Sequence, residues 1–328
     1  MLVFALGISS VAAALVYDLI KYADTPVFEK EEPVIVEITR GQSFASVIRT
    51  LEEKGIITHP LKFKVISRYT GHDKTTRFGE YHIDPQMTPM EILNRFSSGQ
   101  VVLHKVTIPE GFSMANIAAR LESTGLCDRE KFMALATDPE FVESLGIPAT
   151  TLEGYLFPDS YFFEKNPSEK TVIRTMVGKF NQAFDQKWRE RAEEMGFTVH
   201  EIVTLASIIE KETGHEEERA KVASVFHNRL KRNMRLDSDP TVIYGIENFD
   251  GRIRTKHLRE RTPYNTYTLR GLPPGPIASP GFASLHAALY PIETDYLFFV
   301  AKSDREHYFS KNYEEHKRAV QKYILGNK

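Results

Sequence analysis

The stretch LASIIEKETG, Leu205–Gly214, sets a glutamate directly after two isoleucines. On a helix, a turn of about 100° per residue places Glu210 on the same stripe as Val203 and Ala206. Contact with small and apolar side chains removes water from a carboxyl group, and this desolvation favours the protonated form. A general acid must carry a proton near neutral pH, so Glu210 is the candidate catalytic residue. The alternative is an ordinary surface glutamate near a helix end.

Two further acids require separate interpretations. Glu212 falls nearly opposite Glu210 on the predicted helix, so the two carboxyl groups are not expected to pair, and Glu212 is counted among the candidate substrate-binding residues. Asp239, in the string LDSDPTVIYG, is also a candidate substrate-binding residue; it could serve as a second carboxyl group or as the N-cap of a helix with Pro240 at its first position. The Asp-Pro-Thr order favours the cap.

Four other residues could bind a sugar. Asn228 could donate to a sugar or orient a carboxyl group, or it could be a polar surface residue. In the Pro- and Gly-rich loop Arg261–Gly281, aromatic rings alternate with an amide at Tyr264, Asn265 and Tyr267. Rings present apolar faces to sugars and amides bond hydroxyls, so the loop predicts a saccharide cleft. The alternative is a loop packed by its own tyrosines.

The composition excludes several other kinds of site. Lys+Arg 42 against Asp+Glu 44 leaves no excess positive charge for nucleic acid. The single cysteine, Cys127, excludes an intrachain disulfide and a thiolate zinc site. The string GHEEER, residues 214–219, lacks the second histidine of a zinc-protease helix and is interpreted as the solvated start of a helix. No metal and no cofactor are predicted.

Two segments 70 residues apart share one pattern. Each predicts a strand, a glycine turn, a serine N-cap, a helix with apolar residues four apart, and a closing glycine. The matching pairs are Val36/Val106, Ile38/Ile108, Gly41/Gly111, Ser43/Ser113, Val47/Ile117, Leu51/Leu121 and Gly55/Gly125. A further strand and helix lie between them, with Thr88 as N-cap. Residues 34–103 are therefore predicted to form a LysM-like β/α module, which favours glycan binding without identifying the glycan.

The N-terminus predicts a membrane anchor. Met1–Tyr17 contains no charged residue, and with Leu19 and Ile20 the run reaches the ~20 residues that span a bilayer. A cleaved signal peptide with Ala12–Ala14 as its processing site is the main alternative, and a buried core helix is another. No Lys or Arg precedes the run, so charge cannot orient it.

The chain of 328 residues, 41% of them hydrophobic, is long enough for about two domains. The predicted fold class is α+β, with a mainly helical second half that ends in a small β-hairpin and an amphipathic helix, Tyr313 to Ile324. The predicted divisions are an anchor (1–20), a linker (21–33), the LysM-like module (34–103), a second β/α unit with connector (104–152) and a catalytic domain (153–328).

Several strings resemble the YceG-like (MltG-type) endolytic murein transglycosylases, and the likeness covers essentially the whole chain. The strings are EGYLFPDSY, ASIIEKET, KVASVFHNRL, RLDSDPTVIYG, YNTY and GLPPGPIASPG. The resemblance implies cleavage of the β-1,4 bond between N-acetylmuramic acid and N-acetylglucosamine in nascent peptidoglycan strands, leaving a 1,6-anhydromuramyl end. It places the catalytic glutamate at the first position of EKET, which is Glu210.

The resemblance also implies a location and partners. The chain would be a single-pass protein of the cytoplasmic (inner) membrane with its catalytic domain on the periplasmic side. Its partners would be peptidoglycan polymerases and penicillin-binding proteins, since an enzyme that terminates strands must find newly made glycan.

Two rival functions stay open. In a lysozyme-like hydrolase, Asp239 would activate water or act as the nucleophile at ~5 to 9.5 Å from Glu210. In a non-catalytic peptidoglycan-binding protein, the repeat would bind glycan and Glu210 would be a plain surface residue.

Overall fold

Helices make up most of the chain, and they alternate with short strands. The computed structural model describes residues 2–26, 31–303 and 306–326, and for residues 2–9 and 303 the backbone alone. Its helices are α1 Leu2–Ala23, α2 Phe44–Glu53, α3 Pro60–Thr70, α4 His72–Thr75, α5 Pro89–Ser98, α6 Met114–Ser123, α7 Arg129–Ala136, α8 Pro139–Ser144, α9 Glu169–Ala183, α10 Gln186–Glu194, α11 Val199–Glu212, α12 Glu216–Lys231, α13 Asp239–Tyr244, α14 Thr255–Arg259, α15 Phe282–Leu289 and α16 Tyr313–Val320. The strands are β1 Val34–Ile38, β2 Gly79–Ile83, β3 His104–Thr107, β4 Ser160–Phe163, β5 Phe298–Ser303 and β6 Glu306–Ser310.

The strands pair as β1–β2, β3–β4 and β5–β6 in three two-stranded sheets among the described residues. A helix-rich chain with small antiparallel sheets is an α+β fold, so the predicted fold class is confirmed.

The two repeats fold alike locally, as their shared pattern predicts. Ser43 and Ser113 each accept a hydrogen bond from the backbone N–H three residues on, which caps α2 and α6. Gly55 and Gly125 follow these helices with φ of 69° and 70°, the left-handed conformation that glycine adopts without steric cost. Each copy is therefore a strand, a turn and a capped helix.

The chain divides into two compact units. The first consists of Met1–His104 with Phe162–Lys165. In it β1 and β2 pair antiparallel. Thr88 is the N-cap of α5, as predicted, and it forms a capping box with Glu91. Its buried core includes Leu51, Ile56, Phe63, Tyr81, Leu93 and Phe96. The LysM-like label and the boundaries 34–103 remain predictions.

The second unit consists of Lys105–Tyr161 with Asn166–Lys328. The middle of α11 is buried without a break from Ile202 to Ile209, so this helix lies at the centre of the unit. The predicted hairpin is present as antiparallel β5 and β6. The predicted terminal helix is α16, which continues as a single π-helical segment, Gln321–Leu325.

The predicted anchor, residues 1–20, lies on α1. Met1 and the side chains of residues 2–9 lie outside the described residues, as does part of the predicted linker, 27–30. In the portion of the chain that the structure describes, no helix has the length and apolar character needed to cross a bilayer. The end of α1 packs into the first unit, where Tyr22 and Ala23 are buried.

Candidate active site

Helix α11 carries Glu210 on its last turn. Thr198 starts the helix with a capping box, and Ile202–Ile209 anchor it in the core. The side chain of Glu210 follows directly and is only 7% exposed. The apolar stripe predicted from the sequence therefore holds this carboxyl group at the edge of the buried core rather than in bulk solvent.

Two groups contact the Glu210 carboxylate. The backbone N–H of Gly281 donates to Oε2 at 3.0 Å, and Nη2 of Arg219 lies 3.4 Å from Oε1. Arg219 belongs to the first turn of α12, and its side chain is 11% exposed. Both oxygens of Glu210 are thus held from two directions.

The buried Arg219 corrects an expectation. The string GHEEER was predicted to be a solvated helix start, which is right for the exposed Glu216 and Glu217. It is wrong for Arg219 and for Glu218, which accepts hydrogen bonds from the backbone N–H and Nδ1 of His307 at 3.0 and 2.7 Å. Consecutive helical residues point about 100° apart, and here both directions are covered: His307 lies against Glu218, and Glu110 and Glu210 lie against Arg219.

A second carboxyl group shares Arg219 with Glu210. Nη2 of Arg219 lies 3.4 Å from Oε2 of Glu110, in the turn after β3. Since Oε1 of Glu210 lies at the same distance from the same nitrogen, the two acidic oxygens are at most twice that distance apart. Burial and the charge of Glu210 raise the pKa of Glu110. The arrangement is a pair of acids around one guanidinium.

Backbone pairing fixes the turn that carries Glu110. Gly111 N–H donates to Ser279 O at 2.9 Å, and Ser279 N–H donates to Phe112 O at 2.8 Å. Nζ of Lys211 donates to Gly111 O at 3.2 Å. The turn is thereby held against α11 and against the segment that leads to Gly281.

A third carboxyl group, Glu153, was missed by the sequence reasoning. It is 5% exposed and accepts from Met114 N–H and from Tyr244 Oη, each at 3.0 Å. Burial raises the pKa of Glu153 to about 7. The signal available in the sequence was an acid directly before the apolar and aromatic run GYLFP, residues 154–158.

We predict that Glu153 makes the protein less stable as pH rises. Its pKa rises from 4.5 in the unfolded chain to about 7 in the folded one, so folding favours the protonated form. The stabilisation is present below about pH 4.5 and is lost by about pH 7, a change of about 3 kcal/mol. In the wild type, the unfolding free energy should fall between pH 5 and 7.5 with a slope that includes about one proton from Glu153. Glu153→Gln should remove this contribution, so its unfolding free energy, measured by urea titration, should fall less over the same range. An unchanged slope would contradict the prediction.

Glu212 lies apart from Glu210, as predicted. It accepts from Ser238 Oγ at 2.5 Å. Burial, with a smaller contribution from the charge of Asp239, raises its pKa to about 7. The two glutamates of EKET therefore bind different partners, and whether Glu212 binds substrate remains a prediction.

The predicted N-cap at Asp239 is wrong by one residue. Ser238 has the extended backbone of a cap residue, and Asp239 is the first residue of α13. The exposed carboxylate of Asp239 accepts from Tyr267 Oη at 2.7 Å. Asp239 thus lies with Tyr267 and near Glu212.

The side-chain amides of Asn228 and Asn265, both predicted to bind sugar, donate to backbone carbonyl oxygens. Nδ2 of Asn228 donates to Thr294 O at 2.7 Å and to Tyr296 O at 3.1 Å. Asn265 is 0% exposed; its Nδ2 donates to carbonyl oxygens of His257 and Leu258 in α14 and of Glu260, which follows that helix, and its Oδ1 accepts from Tyr267 N–H. This geometry assigns Asn265 to the folding of the loop rather than to the surface of a cleft.

Tyr264 is half-buried, with its ring 4.7 Å from that of Tyr244. Since Tyr244 donates to Glu153, Tyr264 belongs to the surroundings of that buried acid. The predicted sugar-stacking loop thus packs against α13 through the ring of Tyr264. Among the described residues, no group of His, Cys, Asp and Glu could hold a metal ion.

A buried carboxyl group that shares a cation with a second, half-exposed carboxyl group has the composition of an acid–base site, the class that cleaves glycosidic bonds. The comparisons with known proteins identify the family. Residues 36–322 match the YceG-like family, and the chain belongs to it.

Relatives with names and solved structures agree with this assignment. An endolytic murein transglycosylase of Bacillus subtilis strain 168 is 33% identical over 312 residues, which cover 90% of this chain and 86% of that one. One of Streptococcus pneumoniae strain D39 is 28% identical, over 89% of this chain and 58% of its own. The crystal structure of a YceG-like protein from Listeria monocytogenes is 34% identical, with a TM-score of 0.60 over 88% of this chain and 99% of that one.

Proposed function

We propose that this protein is an endolytic murein transglycosylase, a lyase that cleaves the glycan strands of peptidoglycan. The family membership and the names of its relatives support this activity. The position of Glu210 supports its role as the catalytic acid. Its side chain is 7% exposed and is held between Gly281 and Arg219.

The proposed reaction breaks the β-1,4 bond between N-acetylmuramic acid and N-acetylglucosamine. Glu210 gives its proton to the leaving oxygen, which takes the electron pair of the broken C1–O bond. The Glu210 carboxylate then takes the proton of the muramyl C6 hydroxyl as that oxygen attacks C1. Glu210 ends as it began, no water is consumed, and the product carries a 1,6-anhydro ring.

Mass spectrometry of the products tests this proposal directly. Purified, uncrosslinked glycan strands digested by the protein should give internal fragments with anhydro ends. A lysozyme-like hydrolase would add one water to each new end, and a non-catalytic binding protein would give no fragments. The hydrolase alternative needs Asp239 to work with Glu210. The contacts of Asp239 are instead with Tyr267, which donates to it, and with Glu212, on which its charge acts.

We propose that the first unit holds glycan in a cavity of about 520 Å³. Phe78, 41% exposed, lines this cavity, and the guanidinium of Arg40 lies 4.3 Å from the centre of its ring. An exposed ring beside a cation and polar side chains such as Gln42 suits a sugar face and its hydroxyls. This cavity supports the glycan-binding role expected of a LysM-like module.

We propose a single-pass location in the cytoplasmic membrane, with the catalytic domain on the periplasmic side beside peptidoglycan polymerases and penicillin-binding proteins. Exposed apolar residues of α1, such as Leu15 at 61% and Val16 at 55%, support insertion into lipid. Replacing both by Lys should move the protein out of the membrane pellet, because a lysine within a span costs up to about 3 kcal/mol, the full amount at its centre. Lysines at Asp24 and Thr25, beyond the apolar run, are the control. Equal membrane fractions for both variants would contradict the anchor.

A further inference from the structure

Glu110 differs from Glu210 in what it faces. Both carboxylates lie 3.4 Å from the same nitrogen of Arg219. The side chain of Glu110 is 45% exposed, whereas that of Glu210 is 7% exposed. A bound sugar could therefore reach the Glu110 carboxylate directly.

The internal repeat shows that the turn itself does not require an acid at this position. Glu110 precedes Gly111 in the second copy, and Arg40 precedes Gly41 in the first. The two glycines have φ of 72° and 77°, so the same turn forms with a cation or an acid before it. Because local folding leaves the choice open, the carboxyl group of Glu110 is explained by what surrounds it in the second unit.

Gly281 leaves room for the acid pair. A Cβ built on Gly281 would overlap the carboxylate of Glu110, while the N–H of the same residue donates to Glu210. Both carboxyl groups thus lie against one glycine.

Two buried polar atoms of the residues around the pair make no hydrogen bond among the described residues. Nε of Arg219 and Oγ of Ser279 are buried without a hydrogen-bond partner among the described residues. Buried polar atoms usually have partners, so Arg219 and Ser279 each keep a hydrogen-bonding atom that no described residue uses.

We propose that Glu110 is the second catalytic carboxyl group of this enzyme, and that its carboxylate faces C1 of the muramyl residue. This inference rests on the proposed transglycosylase function. As the C1–O bond breaks, positive charge develops on C1 and the ring oxygen, and a carboxylate fixed beside it stabilises that charge. Because Glu210 carries its proton when the step begins, its charge no longer raises the pKa of Glu110, and the Arg219 guanidinium favours the Glu110 carboxylate. Glu110 then neither gains nor loses a proton, and the proton transfers stay with Glu210.

Other charged groups face the same place. Glu210 and Glu216 are the acids whose charges act on Glu110, and Arg219 is the cation. Lys211 lies against the neighbouring turn through Gly111 O. Glu216 is exposed at the start of α12. Its replacement by glutamine removes one negative charge near the site and is the matched control for Glu110→Gln.

Glu110→Gln tests the proposal with strand digestion as the assay. We expect kcat to fall about 100-fold with KM nearly unchanged, because the charge acts in the transition state. Glu216→Gln should change kcat by less than about 3-fold, since an exposed charge is screened by solvent. A wild-type kcat in Glu110→Gln, or equal losses in both variants, would overturn the inference.

Glu110→Ala with added sodium formate separates a catalytic from a structural role. Formate can occupy the vacated space and supply a carboxylate, so we expect it to restore part of kcat in Glu110→Ala and none in Glu210→Gln. Loss of activity that formate does not restore, together with a lowered melting temperature, would assign Glu110 to folding and overturn the inference. If the wild type itself gives no anhydro ends, the proposed function fails instead.

Discussion

Glu210→Gln should remove anhydro products from digested glycan strands while the protein stays folded. Glutamine keeps the size of the side chain and can still accept from Gly281 N–H or from Arg219, the two contacts of the native carboxylate. It cannot give a proton to the leaving oxygen or take one from the C6 hydroxyl. We expect kcat to fall by at least about 10²-fold, the smallest typical contribution of general acid–base catalysis.

Two comparison variants decide what such a loss means. Glu193→Gln changes an exposed glutamate on α10 and should digest strands as the wild type does. Glu212→Gln tests the other acid of EKET, which binds Ser238 instead. Retained anhydro product in Glu210→Gln together with its loss in Glu212→Gln would transfer the acid role to Glu212. Binding of intact strands should survive in Glu210→Gln, which separates catalysis from glycan capture.

The sequence predicts the features that local patterns encode. Helix α11 runs from Val199 to Glu212, as the apolar spacing indicates, and Glu210 lies at the edge of its buried stripe. The caps of the repeats are also found where predicted, because a cap depends on residues within one turn of it.

The partners of Glu210 could not be predicted in this way. Arg219 is nine residues away across a helix break, and Glu110 is 100 residues away. An arginine in a run of acids suggests a solvated helix start until the covering elements are known. The useful clue to Glu110 was the replacement of Arg40 in one copy by Glu110 in the other, next to a glycine that both copies share.

Loop polar residues show a second limit. Asn265 and Asp239 have side chains that could bind a sugar, but the sequence does not show whether their hydrogen-bonding groups are already used. In the structure the amide of Asn265 donates to carbonyls of α14 and of Glu260 just after it, and the carboxylate of Asp239 accepts from Tyr267 Oη. Such side chain–backbone bonds are common in loops and depend on the loop path.

Gly154→Ala should destabilise the protein strongly, because the new methyl group meets both a left-handed backbone and a filled space. Gly154 has φ of 84°, and a Cβ on it would lie 2.5 Å from Cβ of Pro276 and 3.0 Å from Cγ1 of Val203. The left-handed backbone costs an alanine about 1 kcal/mol, and overpacking a buried contact adds about 1–3 kcal/mol. We expect the unfolding free energy to fall by about 3 kcal/mol, measured by urea titration with the fluorescence of the single tryptophan, Trp188, which lies in the same unit.

Gly146→Ala is the matched control, because Gly146 has φ of 71° and nothing within 4 Å of a built Cβ. Gly146→Ala measures the cost of placing alanine in a left-handed backbone alone. The difference in unfolding free energy between the two variants therefore gives the cost of overpacking at Gly154. Val203 lies on the helix that carries Glu210, and Pro276 lies five residues before Gly281, so an alanine at 154 must push apart the two segments that meet at the Glu210 carboxylate. Residual folded Gly154→Ala should therefore show a lower kcat as well, whereas Gly146→Ala should keep it. Equal stabilities in the two variants would mean that Pro276 yields without cost and that the site does not depend on this close approach.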